Sequence, residues 1–301
     1  ISIIIVHFFG VNYIIDCLNS VFNSDYLELE VVVVFNGNKD GSYEIVREKF
    51  SQVICVFNKK NLGFSKANNQ GIKKSTGDIV FLLNDDTVIH RELISILSKE
   101  LTISEAIGIV GPKIYYYNSK KIWFAGGKID WERQKTYHIG VDVKDGKLKN
   151  DKKRKVDFIT GCALMIKKEV INKIGLLDEK FFAFYEDADW CQKTKKERYE
   201  VIYIPFGGVW HHKSATAGNI FFGKEKEKNL LWLIFNYFWR DLKKEFRRYK
   251  NKFIFFNRHL PNRLKLLFFM KFIFILTPIL FWNIIYNIPK SILNLGFKKL
   301  N

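Results

Sequence analysis

Residues 61–87 read Asn-Leu-Gly-Phe-Ser-Lys-Ala-Asn-Asn-Gln-Gly-Ile-Lys-Lys-Ser-Thr-Gly-Asp-Ile-Val-Phe-Leu-Leu-Asn-Asp-Asp-Thr. The stretch divides into three pieces. A polar loop carries Gly63, Ser65–Ser75 has helical spacing, and Asp78–Leu83 is a short apolar run that reads as a buried strand. The strand ends in Asn84-Asp85-Asp86. The same alternation extends in both directions. Upstream, Ile1–His7, Glu30–Phe35 and Val53–Phe57 read as strands, separated by helices over Asn12–Phe22 and Tyr43–Phe50. Downstream, Arg91–Leu101 reads as a helix and Ile107–Val110 as a fifth strand. This order predicts an α/β fold with a doubly wound, mainly parallel sheet. Such sheets bind ligands beyond the carboxyl ends of their strands. Here those ends are the loops Phe8–Asn12, Asn36–Ser42, Asn58–Gly63 and Asn84–Thr87.

After Pro112 the pattern loosens. Short strands are expected at Lys113–Tyr117 and Ile122–Phe124, and a strand–turn–strand over Val156–Lys167 around Thr160-Gly161-Cys162. A helix follows over Glu186–Glu197, a strand at Val201–Ile204 and a long helix over Asn229–Tyr249.

The 301 residues are 48% hydrophobic and 27% charged, which excludes a disordered chain and a polytopic membrane protein. The four cysteines show no CxxC spacing, so neither a zinc module nor a disulfide framework is expected, and a reducing compartment is. The net charge of +18 is unevenly placed. From Lys213 onward there are 18 basic and 4 acidic residues, so this last third carries +14. A basic segment of this kind suits nucleic acid or an anionic membrane surface. Its aromatics lie in long apolar runs rather than on a recognisable nucleic-acid module, so no nucleic-acid partner is expected.

Three groups carry candidate chemistry. Adjacent acids at the strand end, Asp85 and Asp86, suit a hard divalent cation bridging to a diphosphate, or equally a turn that caps the next helix. Glu186-Asp187-Ala-Asp189 follows the aromatic run Phe181–Tyr185. It suits a general base in a partly dry pocket, or acids that favour the dipole of a helix. His211-His212 follows a strand-like run and reads as a metal ligand or as filler.

Taken together and in order, these motifs resemble the inverting family 2 glycosyltransferases with the GT-A (nucleotide-diphospho-sugar transferase) fold, most closely their rhamnosyltransferase-like branch. The matching residues are Asp40-Gly41-Ser42, residues 61–72 and 77–87, Val110-Gly-Pro112, Gly126-Gly127, residues 157–162, Tyr185–Cys191 and Trp210-His211 with residues 214–218. The resemblance covers about residues 1–230.

It implies a metal-dependent transferase. Asp86, Asn84 and His211 would hold Mn²⁺ or Mg²⁺. Asp187 would be the base, with Glu186 and Asp189 positioning the acceptor or that base. Thr160, Gly161, Cys162 and Trp190 would line the sugar and acceptor site. Phe8, Phe35, Asn36, Asp40, Asn61, Gly63, Asn69 and Asp85 would hold the nucleotide-sugar. Two positions depart from the family. Phe35 stands where relatives carry an Asp that contacts the base, and Phe8-Phe9 where they favour Tyr-Asn or Trp-Asn. Either set of rings stacks on the nucleobase or fills the core.

The resemblance implies residues 1–228 as the catalytic domain, with a donor half at 1–112 and an acceptor half at 113–228. Residues 229–301 would be a helical, basic and hydrophobic membrane-associating extension. The helix over Asn229–Tyr249 suits an anionic lipid surface or packing on the catalytic domain. Leu266–Tyr286 has the length of a membrane span but is broken by Lys271 and Pro278, which favours a monotopic or re-entrant anchor. The partners implied are a nucleotide-diphospho-sugar donor and a glycan or lipid-linked acceptor at the cytoplasmic face of the membrane. A nucleotidyltransferase would need a Gly-rich, cationic loop after the first strand, which His7-Phe-Phe-Gly10 does not supply. A binding subunit without turnover would have lost the acidic motifs, which are present.

Overall fold

The computed structural model describes residues 1–212 and 230–270, with side chains described for 1–212 and 245–270. The first half alternates as expected. It runs β1 (Ser2–His7), α1 (Val11–Phe22), β2 (Glu30–Asn36), α2 (Ser42–Lys49), β3 (Ile54–Asn58), α3 (Phe64–Lys74) and β4 (Ile79–Asn84). β3, β2, β1 and β4 lie side by side in that order, all parallel. Ile3–Ile5, Val31–Val34 and Val80–Leu83 are buried, as the continuous apolar runs require when both faces of a sheet are covered. The chain winds outward from β1 to β3 and returns on the other side of β1 as β4. A topological switch point therefore falls between β1 and β4, with His7 at the end of one strand and Asn84-Asp85-Asp86 at the end of the other.

The second half is mixed. β5 (Thr87–Ile89) and α4 (Leu93–Thr102) lead into β6 (Ile107–Tyr116), β7 (Ile122–Phe124), β8 (Gly127–Asp130) and β9 (Lys135–His138). β10 (Arg154–Lys155), β11 (Ala163–Lys167), α5 (Lys168–Ile174), α6 (Glu186–Lys196) and β12 (Glu200–His211) follow. β11 enters antiparallel between β4 and β6, and β12 runs parallel to β6 on its far side.

Three expectations are corrected here. Ile107–Val110 and Lys113–Tyr117 form one strand, because Pro112 is accommodated opposite Ile204. Val201–Ile204 extends to His211, with register shifts in its pairing around Gly207. Of the strand–turn–strand over Val156–Lys167, only Ala163–Lys167 is a strand, and Phe158 makes an isolated bridge to Gly127.

The long helix α7 spans Leu230–His259, ten residues further than its polar pattern suggests. Chain contacts divide the molecule into two units. One is Ile1–Ile129 with Thr136–Lys252, and the other is Asp130–Lys135 with the chain from Phe253. In the second unit Trp131 stacks on Phe255 with ring centroids 6.1 Å apart, and Phe256 and Phe268 are buried. Leu266, Leu267, Phe269 and Met270 are exposed.

A buried cation ties the loop after β9 to the sheet. Lys113 Nζ donates to Asp145 Oδ1 and Asp151 Oδ2, each at 2.7 Å. Tyr115 and Tyr203 donate their hydroxyls to the same two carboxylates. Burial works against the Asp145 charge, but Lys113 and Tyr115 prevail and hold the carboxyl below its usual range. Removing one member of a buried pair leaves an uncompensated charge and costs about 3–5 kcal/mol. The Asp145 side chain is 40% exposed, which lowers that figure. Lys113→Met is expected to lose about 2 kcal/mol of unfolding free energy in urea titration.

Candidate active site

A cavity of about 790 Å³ opens at the carboxyl end of β4. Asn84, Asp86 and His211 line it together with Thr160, Gly161 and Cys162. So do Glu186 and Asp187, at the start of α6.

The first acidic group is built by strand pairing. Asp85 and Asp86 form the turn between β4 and β5. β5 pairs antiparallel with the end of β12, setting Thr87 opposite His211, and the His212 N–H donates to the Asp86 carbonyl at 2.9 Å. Residues 125 positions apart are thus brought face to face. Asp86 Oδ1 lies 3.1 Å from His211 Nε2. Burial alone would lower the His211 pKa, but the Cys162 thiol and the Asp86 carboxylate raise it to about 10.

Whether these residues fit a divalent cation is decided by Asp86 Oδ1. It is buried without a hydrogen bond among the described residues. Two neighbouring ligands of an octahedral ion at about 2.1 Å stand about 3 Å apart, and the Asp86–His211 separation matches. Asn84 contributes to the same rim. No group of three or more His, Cys, Asp or Glu suited to a metal occurs among the described residues. The donor set therefore fits an open site completed by substrate oxygens rather than a closed protein cage.

Asp85 is turned away from this cavity's lining. It is buried against His7, whose Nδ1 lies 2.6 Å from Asp85 Oδ2 and whose Nε2 lies 3.8 Å from Asp40 Oδ2. Burial, aided by Asp86, pushes the Asp85 carboxyl up, and His7 opposes it. Asp40 is held far below the carboxylate range. Burial opposes this, but His7, Ser42, the Gly10 N–H and Asn38 prevail. His7 itself is lowered by burial and raised by Asp40 and Asp85, reaching about 9.

The second acidic group sits where α6 begins. Asp187 is half-buried. Its Oδ2 accepts the Gly161 N–H at 3.0 Å and its Oδ1 accepts the Ala188 N–H at 2.7 Å. Glu186 is buried, its Oε2 is without a hydrogen-bond partner among the described residues, and burial with the neighbouring Asp187 pushes its pKa well up. The two carboxyls thus differ in environment, one held by N–H donors and one dry.

The backbone leading into them is strained. Phe184 and Tyr185 both have positive φ, 76° and 73°, a region that side-chain-bearing residues rarely adopt. The loop is pinned from two sides. Phe64 N–H donates to the Phe182 carbonyl, and Ser65 Oγ to that of Phe181. From α7, Asn251 Nδ2 donates to the carbonyls of Ala183 (2.8 Å) and Phe184 (3.0 Å), and Arg247 stacks on Phe182 at 4.0 Å.

Several of the expected donor and acceptor residues are engaged within the fold. Phe35 is one of them. Its ring is fully buried, edge-on to Tyr43 at 5.1 Å and to His7 at 5.8 Å, because it is the inward residue at the end of a two-face-covered strand. Trp190 is fully buried, with Nε1 donating to the Gly175 carbonyl. Asp189 is buried and pairs with Lys193 at 3.0 Å, one helical turn on. Asn69 exchanges two hydrogen bonds with the Leu177 backbone. Asn36 accepts the Leu62 N–H and donates to Asn61 and to the Gly63 carbonyl, so it shapes the loop that it borders. Gly63 has φ 90°, and a Cβ there would come within 2.7 Å of the Phe182 carbonyl oxygen. Phe8 is half-buried.

The structure brings into the cavity residues that the sequence did not assign to it. Trp123 lines the cavity in contact with His211 (4.5 Å) and His138 (4.9 Å). Glu245, Arg248, Tyr249 and Lys252 of α7 line it too. Their spacing was the available signal, because i, i+3, i+4 and i+7 share one helix face.

A switch-point cavity of this construction belongs to the GT-A class of α/β transferase folds, with a doubly wound parallel first half and a mixed second half. The chain belongs to glycosyl transferase family 2, whose model matches residues 2–175. An uncharacterized glycosyltransferase of Rickettsia typhi is 29% identical over 183 residues, covering 60% of this chain and 54% of the relative. Poly-beta-1,6-N-acetyl-D-glucosamine synthase of Staphylococcus epidermidis is 26% identical over 207 residues, covering 68% and 48%. The chain thus spans about half the length of these curated relatives. Among solved structures, GalNAc-T7 with UDP, GalNAc and Mn²⁺ superposes with a TM-score of 0.58 at 16% identity, over 70% of this chain and 43% of that one. The Pyrobaculum calidifontis mannosyltransferase PcManGT with GDP-Man and Mn²⁺ gives 0.50 at 18% identity, over 68% and 54%.

The His7 arrangement makes a stability prediction. A folded pKa raised above the ordinary 6.5 contributes stability that is complete below about pH 6.5 and is lost as pH rises through about 9. Unfolding free energy measured in EDTA is expected to fall over that window. In His7→Gln it is expected to start lower and to fall less over the same range.

Proposed function

We propose that this chain transfers a sugar from a nucleotide-diphospho-sugar to a glycan or lipid-linked acceptor, with inversion, using Mn²⁺ or Mg²⁺. The observation that carries the reading is the single cavity that joins the Asp86–His211 pair to the oriented carboxylate of Asp187. Family membership and the Mn²⁺ and nucleotide-sugar named for the fold neighbours support it.

Asp86, His211 and Asn84 would hold the cation, which when bound offsets charge on the departing diphosphate. Asp187 has spare lone pairs on oxygens already fixed by Gly161 and Ala188, and so accepts the proton of an acceptor hydroxyl. That oxygen bonds to the anomeric carbon as the carbon–oxygen bond to the diphosphate breaks. The electron pair leaves with the nucleoside diphosphate, and in-line attack inverts the centre. Burial and the neighbouring Asp187 push the Glu186 carboxyl towards its neutral form, which lessens the negative charge beside Asp187. His7 and Asp40 fix Asp85 and the Gly10 backbone at the donor end, where Phe8 and Asn61 border the loops proposed to hold the nucleoside. Thr160, Gly161 and Cys162 line the proposed sugar side. Rhamnose is the first donor sugar proposed, on the branch resemblance. Synthesis of a cell-surface glycan is the proposed setting, in line with the poly-N-acetylglucosamine synthase relative.

We place the enzyme at the cytoplasmic face of the membrane, on an anionic surface. Support comes from the exposed Leu266, Leu267, Phe269 and Met270 next to Arg263 and Lys265, and from the +14 charge of the last third. No helix among the described residues is long and apolar enough to cross a membrane. Residues 271–286 of the expected anchor lie outside the described residues.

The test is nucleotide release from a panel of UDP-, dTDP- and GDP-sugars with a crude lipid acceptor extract, with Mn²⁺ or Mg²⁺ and with EDTA. One donor is expected to turn over, only with metal. Asp187→Asn and Asp86→Ala are each expected to reduce the rate by about 10²–10⁴-fold. Undiminished release in either variant, or in EDTA, would overturn the reading.

A further inference from the structure

The cavity has a wall that the transfer chemistry leaves without a task. Glu245, Arg248, Tyr249 and Lys252 all line it from α7, a helix beyond the 2–175 stretch matched by the family. Their spacing puts the four on one stripe of the helix. A stripe that merely packed a helix onto a domain would be apolar. This one is polar and includes two cations, and the helix is instead anchored through Asn251 and Arg247. Arg248 is held in place, with its guanidinium 5.3 Å from the Phe184 ring and 2.9 Å from Glu245. Phe184 is three residues before Asp187, so the cation stands beside the strained loop that presents the base. Glu245 and Arg248 are each about half exposed, so their pair is weak and exchangeable.

The rest of the cavity carries Asp86, Asp187 and Glu186. A neutral sugar acceptor needs no cation to enter such a site. An anionic one does, because its charge must be offset as it approaches two carboxylates.

We propose that Arg248 and Lys252 form a phosphate-binding subsite that reads a phosphate ester on the acceptor, next to the hydroxyl that attacks, with Glu245 as the internal ligand the phosphate displaces. The inference rests on the transferase reading and narrows its acceptor to phosphorylated saccharides. A planar guanidinium supplies paired donors to phosphate oxygens, and the lysine adds a point charge one turn away.

The experiment is isothermal titration of the full chain. The nucleoside diphosphate from the release assay is added first, with Mn²⁺, so that the donor's own phosphate site is filled. Failure of that step counts against the transferase reading. Whatever its result, glucose 1-phosphate and methyl glucoside are then titrated in parallel. Glucose 1-phosphate is expected to bind about tenfold more tightly, a preference abolished in Arg248→Ala/Lys252→Ala. Glu245→Gln is expected to tighten it about threefold, and this opposite sign decides the matter if the double variant fails to fold. Equal affinities for the two glucosides, or a Glu245→Gln protein that binds as wild type does, would sink the proposal.

A vesicle arm separates the sources of phosphate. Phosphatidylcholine vesicles carrying a polyprenyl phosphate are compared with vesicles carrying phosphatidylglycerol at equal charge. Arg248-dependent excess binding to the first marks a lipid-borne phosphate. Preference for glucose 1-phosphate without that excess marks a soluble or polymer-borne one.

Discussion

The pairing of the three-residue strand β5 with the end of β12 is the constraint on which the site depends. It is short, but it brings a histidine 125 residues later in the chain to the acidic turn after β4. Without it Asp86 would be an acid in an exposed turn. With it, the acid is buried, its backbone carbonyl is satisfied by His212, and its side chain faces His211. β11 makes the pairing possible by entering antiparallel next to β4. It delivers the Cys162 carbonyl to the Asn84 N–H and sets the Thr160–Cys162 turn beside the acids. The mixed half of the sheet is therefore what brings His211 and the Thr160–Cys162 turn to the acidic end of the parallel half.

Three acids in one partly dry cavity would repel one another if all were ionised. The structure separates them by environment. Asp86 has the His211 ring beside it, Asp187 has two backbone N–H donors, and Glu186 has neither and is driven towards its neutral form. Asp85 and Asp40 are drawn off to His7, which carries positive charge to about pH 9. The first strand thus contributes a buried cation at the one place where the switch point concentrates negative charge.

The parallel half was legible because its strands are continuous apolar runs bounded by Gly- and Asn-rich loops, a pattern that depends on local sequence alone. The motif residues Asp86, Asp187, His211 and Thr160–Cys162 were also legible, as types at spacings, and they do share one cavity. What could not be read was which way a side chain faces. Phe35, Asn36, Asn69 and Trp190 lie in the right motifs, yet they spend their surfaces or polar atoms on the fold. Phe35 is buried at the end of a strand covered on both faces, and Asn69 clamps the backbone at Leu177 across 108 residues. Long-range pairings of that kind leave no local periodicity. The extension of Val201–Ile204 to His211 was hidden for a related reason. Pro205 and two glycines read as a break, but the strand absorbs them by register shifts against β6.

Helix α7 extends the candidate site. Phe184 and Tyr185 hold a backbone conformation that costs on the order of 1–3 kcal/mol each unless neighbours impose it. The start of α3 imposes it from one side through Phe64 and Ser65. Asn251 imposes it from the other, spending both N–H groups of one buried amide on the Ala183 and Phe184 carbonyls. Without those two bonds the loop would be free to relax toward ordinary φ values and to carry Asp187 away from the Gly161 N–H. Helix α7 therefore helps to hold the loop that leads into Asp187. The basic residues that a charge count assigns to a membrane surface include Arg247 and Arg248, which lie on Phe182 and Phe184 of that same loop. One helix thus combines a structural duty toward the loop with a cationic stripe toward the cavity. Under the proposed reading, the same helix steadies the Asp187 carboxylate and receives the acceptor's phosphate.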